Sequence, residues 1–188
     1  TRGHDAGGGF HLFCFGGSQG ARGVSDLVVA AAAILAQDGR TITIVHQTGK
    51  EDRERVAKLY TGAGVAADVR DFIDDMASEY ARADLVIARS GAATGAELAV
   101  VGRAAILIPY PRAAYDHQTV NARELVAKGA ALLLAQNATD GPALAEHIGA
   151  LIDDRPRLGR MATEMQALGR PDAAGAIVDW LERHARRR

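Results

Sequence analysis

Four short stretches place chemically useful residues where a loop runs into a helix. The first is Gly16-Gly17-Ser18-Gln19-Gly20-Ala21-Arg22. Its glycines let backbone come close to a ligand, N–H groups at a helix start favour phosphate, and Ser18 adds a hydroxyl donor. It has neither Gly-Lys-Ser/Thr nor G-x-G-x-x-G, so a tight strand–helix turn explains it equally well. The second runs from Arg89 to Glu97 (RSGAATGAE), again after an apolar run and into a helix. Glu97 would lie about a turn inside that helix, where a carboxylate can accept both hydroxyls of a ribose; simple complementarity to the helix dipole is the plainer explanation. The third, Asp116 to Asn121 (DHQTVN), puts His117, Gln118 and Asn121 within one helical turn. These offer donors and acceptors without strong charge, which suits sugar hydroxyls; an ordinary helix capped by Asp116 accounts for them too. The fourth, Phe72-Ile73-Asp74-Asp75-Met76, is an apolar turn that can hold a flat base through main-chain groups, or a helix start with acids at its N-terminus.

Other chemistries lack their residues. The six histidines are scattered with no H-E-x-x-H spacing, and the single cysteine, Cys14, permits neither a disulfide nor a cysteine zinc cage. No metal site is expected. Cys14 falls inside an apolar run and reads as packing. The pairs Asp74-Asp75 and Asp153-Asp154 read as caps and turns rather than an acid–base dyad. G-x-S-x-G is absent.

The elements that must position these loops follow from the hydrophobic pattern. Apolar, strand-like runs at 10–15, 41–46, 66–70, 84–88, 104–109 and 130–134 alternate with amphipathic segments at 22–37, 51–62, 74–82 (Asp74 as N-cap), 94–101 and 117–128. From Asp140 onward the pattern predicts three helices, with Pro156 and Pro171 near helix starts. Strands that are continuously apolar belong to a parallel sheet covered on both faces, so the fold class is α/β with a Rossmann-like six-stranded sheet. At 188 residues, 48% hydrophobic and 24% charged, the chain is one ordinary globular unit. Its 22 Lys+Arg against 23 Asp+Glu argue against coating nucleic acid, and 5% aromatics argue against base-stacking platforms. No apolar run approaches the roughly 20 residues that span a bilayer. Residues 1–9 are expected to be a linker or remnant segment, 10–182 the folded domain and 183–188 a basic tail. With no initiator Met and no signal-peptide core, the chain reads as a cytosolic piece of something longer.

Together GGSQGAR (16–22), HQTGK (46–50), FIDDMASEYARADLVIARSGAATGAEL (72–98), DHQTVNA (116–122) and GRPDAA (169–174) resemble the C-terminal domain of the MurG family, glycosyltransferase family 28. The segments stand in the family's order and spacing and span about residues 10–182. No single piece is specific; the combination is. Ala104 stands where the family usually has Pro, and Gly95 where it commonly has a larger residue.

The resemblance implies the C-terminal half of a GT-B fold and an inverting transferase. Such enzymes move GlcNAc from UDP-GlcNAc to the 4-hydroxyl of the MurNAc unit of lipid I, giving lipid II for peptidoglycan, with no metal in the donor site and no cofactor. Carried over by position, Gly17, Ser18 and Gln19 would face the diphosphate or sugar. Ile73 would hold the uracil through its backbone, with Met76 lining that pocket. Arg89, Ala92 and Ala93 would border base and phosphate, Glu97 would take the ribose hydroxyls, and His117 and Gln118 would read GlcNAc hydroxyls with Asn121 in support. The lipid I acceptor and the group that takes its proton would belong to the other half. The expected setting is cytoplasmic, at the inner face of the bacterial plasma membrane, with peripheral membrane association, no nucleic-acid partner and an open oligomeric state. Two other arrangements fit the same residues: a split transferase needing a separate acceptor-binding chain, and a non-catalytic nucleotide-binding module.

Overall fold

The computed structural model describes residues 9–185. The linker expected at 1–9 lies, apart from Gly9, outside the described residues, as do residues 186–188 of the expected tail. Six strands form one parallel sheet in the order β3-β2-β1-β4-β5-β6: β1 (Phe10–Phe15), β2 (Ile42–Gln47), β3 (Ala67–Arg70), β4 (Leu85–Ala88), β5 (Ala105–Leu107) and β6 (Ala131–Leu133). The interleaved helices are α1 (Arg22–Gln37), α2 (Arg53–Gly62), α3 (Met76–Arg82), α4 (Ala92–Val101) and α5 (His117–Ala127), followed by α6 (Gly141–Asp153), α7 (Arg155–Ala167) and α8 (Ala173–Ala185).

The apolar runs become buried strands because side chains alternate between two covered faces. Leu12, Cys14, Leu85, Ile87 and Ile106 point into one core with Val24, Val28, Leu35, Leu144 and Ile148. Phe13, Phe15, Val86, Ala88 and Leu107 point into the other with Ile73, Tyr80, Leu98 and Ala122. Helix α1 buries Val24, Val28, Ala31, Ala32 and Leu35, the stripe a 3.6-residue period requires. Burial pushes the Cys14 thiol well above its ordinary range, as expected for packing rather than reactivity.

Helix starts refine the sequence reading. Helix α3 is capped by Asp75, not Asp74: the Asp75 carboxylate accepts from Ser78 N at 3.0 Å, and Asp74 is exposed before it. Asp116 does not cap α5 through its side chain; it lies in a left-handed conformation (φ 52°) and accepts from the Thr119 hydroxyl instead. Helix α4 begins at Ala92, earlier than expected, and runs unbroken through Gly95, whose N–H donates to Gly91 O. Helices α6 and α7 each carry Pro at the N-terminal turn and an Asp cap, Asp140 and Asp154. The last helix, α8, leaves Ile177, Val178, Trp180 and Leu181 more than half exposed. Among the described residues no helix is long and apolar enough to cross a membrane.

Candidate functional site

Strand order reverses between β1 and β4, and the loops leaving these two strands diverge at their carboxyl ends. That crevice is where open parallel sheets bind ligands. A cavity of about 450 Å³ opens there. The glycine loop, the start of α4, Arg89, Tyr110, Gln118 and Gln136 line it.

The glycine loop is built by close backbone packing. Gly17 and Gly20 take positive φ (96° and 74°), and Gly20 N donates to Gly17 O at 3.0 Å. A Cβ on Gly20 would lie 1.7 Å from Thr48 O, so no side chain fits between this loop and residues 48–49. Ser18 and Gln19 are exposed at its tip. The two helices that start at the crevice lack their own caps. Neither Ala21 before α1 nor Gly91 before α4 makes a side-chain cap, and neither helix has an acid in its first turn. Their leading N–H groups and positive dipole ends suit an anion.

Arg89 adds charge. It is buried, and its guanidinium donates to Ile108 O (3.0 Å), Pro109 O (2.8 Å) and Gln136 Oε1 (2.6 Å), with the Tyr110 ring 5.4 Å from Cζ. Its described hydrogen-bond acceptors are all neutral oxygens, and burial pulls its pKa below the ordinary arginine value. A buried cation without a carboxylate, beside two uncapped helix ends, favours an anionic ligand.

Of the remaining predicted residues, Gln118 alone belongs to the cavity's lining. It accepts from Tyr110 N (2.9 Å). His117 is exposed, and its Nδ1–H donates to Ala114 O (2.7 Å). Asn121 donates to Ser90 O (3.1 Å), tying α5 to the end of β4; with Ala92 it lines a neighbouring groove between α4 and α5. Ala93 is exposed on the first turn of α4. Glu97 is exposed and accepts from the Tyr80 hydroxyl at 2.9 Å. Burial and this carboxylate push the Tyr80 phenol well above its ordinary pKa, so it stays a donor. The Ile73 side chain is buried, its N–H donates to Gln47 Oε1 (2.8 Å), and Met76 is half-buried on the same side.

Thus Gly17, Arg89 and Gln118 meet directly at the cavity, whereas Ser18, Gln19, Ile73, Met76, Ala93, Glu97 and His117 are not part of its wall. Sequence reasoning assigned no role to Tyr80, Tyr110, Gln136 or Gln47. HQTGK stood out as a motif, but Gln136 reaches Arg89 across 47 positions with no local signal. A larger cavity, about 790 Å³, lies at the opposite edge near the starts of β1 to β3. Its Arg70 pairs with Asp68 and Glu79 and its Arg155 with Asp84, and its Arg82 is exposed, so among the described residues it holds no buried cation comparable to Arg89.

Residues 11–177 match the glycosyltransferase family 28 C-terminal domain. The chain belongs to that family. A UDP-N-acetylglucosamine--N-acetylmuramyl-(pentapeptide) pyrophosphoryl-undecaprenol N-acetylglucosamine transferase of Nitratidesulfovibrio vulgaris (strain DP4) is 53% identical over 175 residues, covering 90% of this chain and 46% of the relative. The protein of the same name from Syntrophotalea carbinolica is 50% identical over 168 residues, 89% of this chain and 47% of the relative. The crystal structure of Acinetobacter baumannii MurG superposes with a TM-score of 0.88 at 32% identity, covering 97% of this chain and 55% of that one. The chain therefore spans about half the length of the family 28 proteins it matches, and its sheet is the Rossmann-like C-terminal half of the GT-B fold.

Proposed function

We propose that residues 10–182 form the donor-binding domain of a family 28 glycosyltransferase, and that the crevice between β1 and β4 holds UDP-GlcNAc. One observation carries this reading: Arg89, buried and hydrogen-bonded among the described residues to neutral oxygens alone, beside the uncapped N-termini of α1 and α4. A diphosphate supplies the missing negative charge. Gly17, Ser18 and Gln19 take the diphosphate or sugar from the loop side, and Ala92 and Ala93 border base and phosphate. Glu97, steadied by Tyr80, takes the ribose hydroxyls. The turn at Ile73 and Met76 receives the uracil, and His117 and Gln118 read the GlcNAc hydroxyls with Asn121 holding their helix in place.

In transfer, bond cleavage leaves negative charge on UDP. Helix N-termini, Arg89 and the loop amides are already in place for it, and such prearranged donors need no reorganisation when the charge develops. The whole protein would add GlcNAc to the MurNAc 4-hydroxyl of lipid I, giving lipid II. The other half would bind the acceptor at the inner face of the plasma membrane and provide the proton acceptor. The exposed apolar face of α8 gives that half a surface to cover, whether on the same polypeptide or on a separate one.

Titration of the 188-residue chain with UDP, UDP-GlcNAc and UDP-GalNAc, followed by amide NMR, tests the reading. UDP and UDP-GlcNAc should shift residues 16–22 and 89–97. Glu97→Ala should weaken both by about 1–3 kcal/mol, the usual cost of leaving buried hydroxyl partners unpaired. No shifts at millimolar donor, or unchanged affinity in the variant, would contradict it.

A further inference from the structure

We infer that Gln47 is a positioning residue of the donor site, a strap that sets the glycine loop and the base turn relative to one another. The inference rests on the donor reading and deepens it. Gln47 ends β2, in register with Phe15 of β1 on one side and Arg70 of β3 on the other. Each neighbouring strand leads straight into a candidate ligand loop. The side chain is buried, and its carboxamide spans both: Nε2 donates to Gly17 O at 3.1 Å, and Oε1 accepts from Ile73 N at 2.8 Å. Gly17 O is also the acceptor that closes the glycine turn from Gly20 N. The strap therefore holds that loop at the carbonyl which defines it.

A primary carboxamide presents a donor and an acceptor on one planar, uncharged group, which matches one carbonyl and one N–H. Glutamate would keep the acceptor for Ile73 N–H and turn a carboxylate toward Gly17 O. Leucine would leave the buried Ile73 N–H unpaired and Gly17 O with the Gly20 N–H alone. The backbone around Gln47 continues the connection past the strand ends, with Thr48 N donating to Arg70 O, Gly49 N to Asp71 O, and Gly20 packed on Thr48 O. Two consequences follow. The Ile73 N–H is already engaged, so a base at this turn meets other groups of it. A shift of either loop also reaches the other through a single side chain.

The test uses the full chain and three variants: Gln47→Leu, Gln47→Glu, and Thr48→Val as a control that removes a neighbouring buried hydroxyl bonded to Gly49 O and Arg70 O. Amide exchange is read at Ile73 and Gly20, and NMR titrations use uridine and UDP, all at equal intervals below each variant's Tm. Gln47→Leu should speed exchange at both amides and weaken UDP by about tenfold or more. Gln47→Glu should keep Ile73 protected and uridine affinity within about twofold, yet loosen Gly20 and weaken UDP by about tenfold; it keeps the test decidable if Gln47→Leu does not fold. Thr48→Val should leave the ratio of UDP to uridine affinity unchanged. Wild-type exchange at Gly20 in both Gln47 variants, or equal weakening of uridine and UDP in Gln47→Glu, would overturn the strap. A wild-type chain that shows no UDP shifts overturns the donor reading instead, and the exchange data still decide whether the strap exists.

Discussion

Helices α6 and α7 and helices α1 and α4 treat their N-termini in opposite ways. Asp140 accepts from Ala143 N at 2.9 Å and Asp154 from Arg157 N at 2.8 Å, so the two scaffold helices satisfy their leading N–H groups from their own sequence. Ala21 and Gly91, at the crevice, make no such bond. A cap of this kind contributes about 1 kcal/mol, and α6 and α7, which do not line the crevice, both carry one. Where it is omitted, the exposed N–H groups face a cavity with a buried arginine. Caps are thus absent at these two ends of the crevice and present at the starts of α6 and α7, while α3, at the base turn, keeps its Asp75 cap.

The largest expected effect tests how the open ends are held in place. Gly20→Ala should cost about 3 kcal/mol or more in urea denaturation, since its Cβ would overlap Thr48 O at a positive φ. A variant as stable as the wild type would show that close packing on residues 48–49 is not what shapes the loop.

Next is the buried imidazole beneath that packing. His46 Nδ1 lies 2.9 Å from the Tyr60 hydroxyl and Nε2 3.4 Å from Ser25 Oγ of α1, and burial pulls its pKa down to about 4. The unfolded chain takes up this proton near pH 6.5, before the folded chain does, so this contribution is complete above about pH 6.5 and is lost as pH falls toward 4. The loss amounts to about 3 kcal/mol, and His46→Gln should remove that component from the pH dependence of denaturation. An unchanged slope would mean that the histidine titrates alike in both states.

Two substitutions then address the contrast directly. Gly91→Asp, at φ −64° where an added Cβ would meet nothing nearer than Thr94 Oγ1 at 3.8 Å, gives α4 the cap it lacks. Stability should rise by a few tenths of a kcal/mol while UDP affinity falls by about tenfold. Asp154→Ala should cost about 1 kcal/mol of stability with no change in UDP binding. Calorimetric titration alongside thermal melts reads both, and parallel changes in affinity and stability would erase the distinction between the two kinds of helix end.

Much of this architecture was legible in the residues. The runs FHLFCF, DLVIA and AAILIP read as buried strands because helices cover both faces, and the Gly-Gly-x-x-Gly spacing marked a loop with backbone close to something. What was hidden depends on partners distant in the chain. Gln47 bonds to Gly17 and Ile73 at separations of 30 and 26, and Tyr80 to Glu97 at 17, so no local window shows them. Asp74 and Asp75 both fit a cap by residue type, and only backbone geometry selects Asp75. The consecutive left-handed Tyr115 and Asp116 have no glycine to announce them, and they replaced the cap that Asp116 suggested.

The most direct test is a crystal structure of this chain with bound UDP. The diphosphate should lie between the Gly17–Gly20 turn and the start of α4, beside Arg89, with the ribose on Glu97. Nucleotide found instead in the groove near the starts of β1 to β3, or Ser18 and Glu97 on opposite sides of the molecule from it, would contradict a donor site at this crevice.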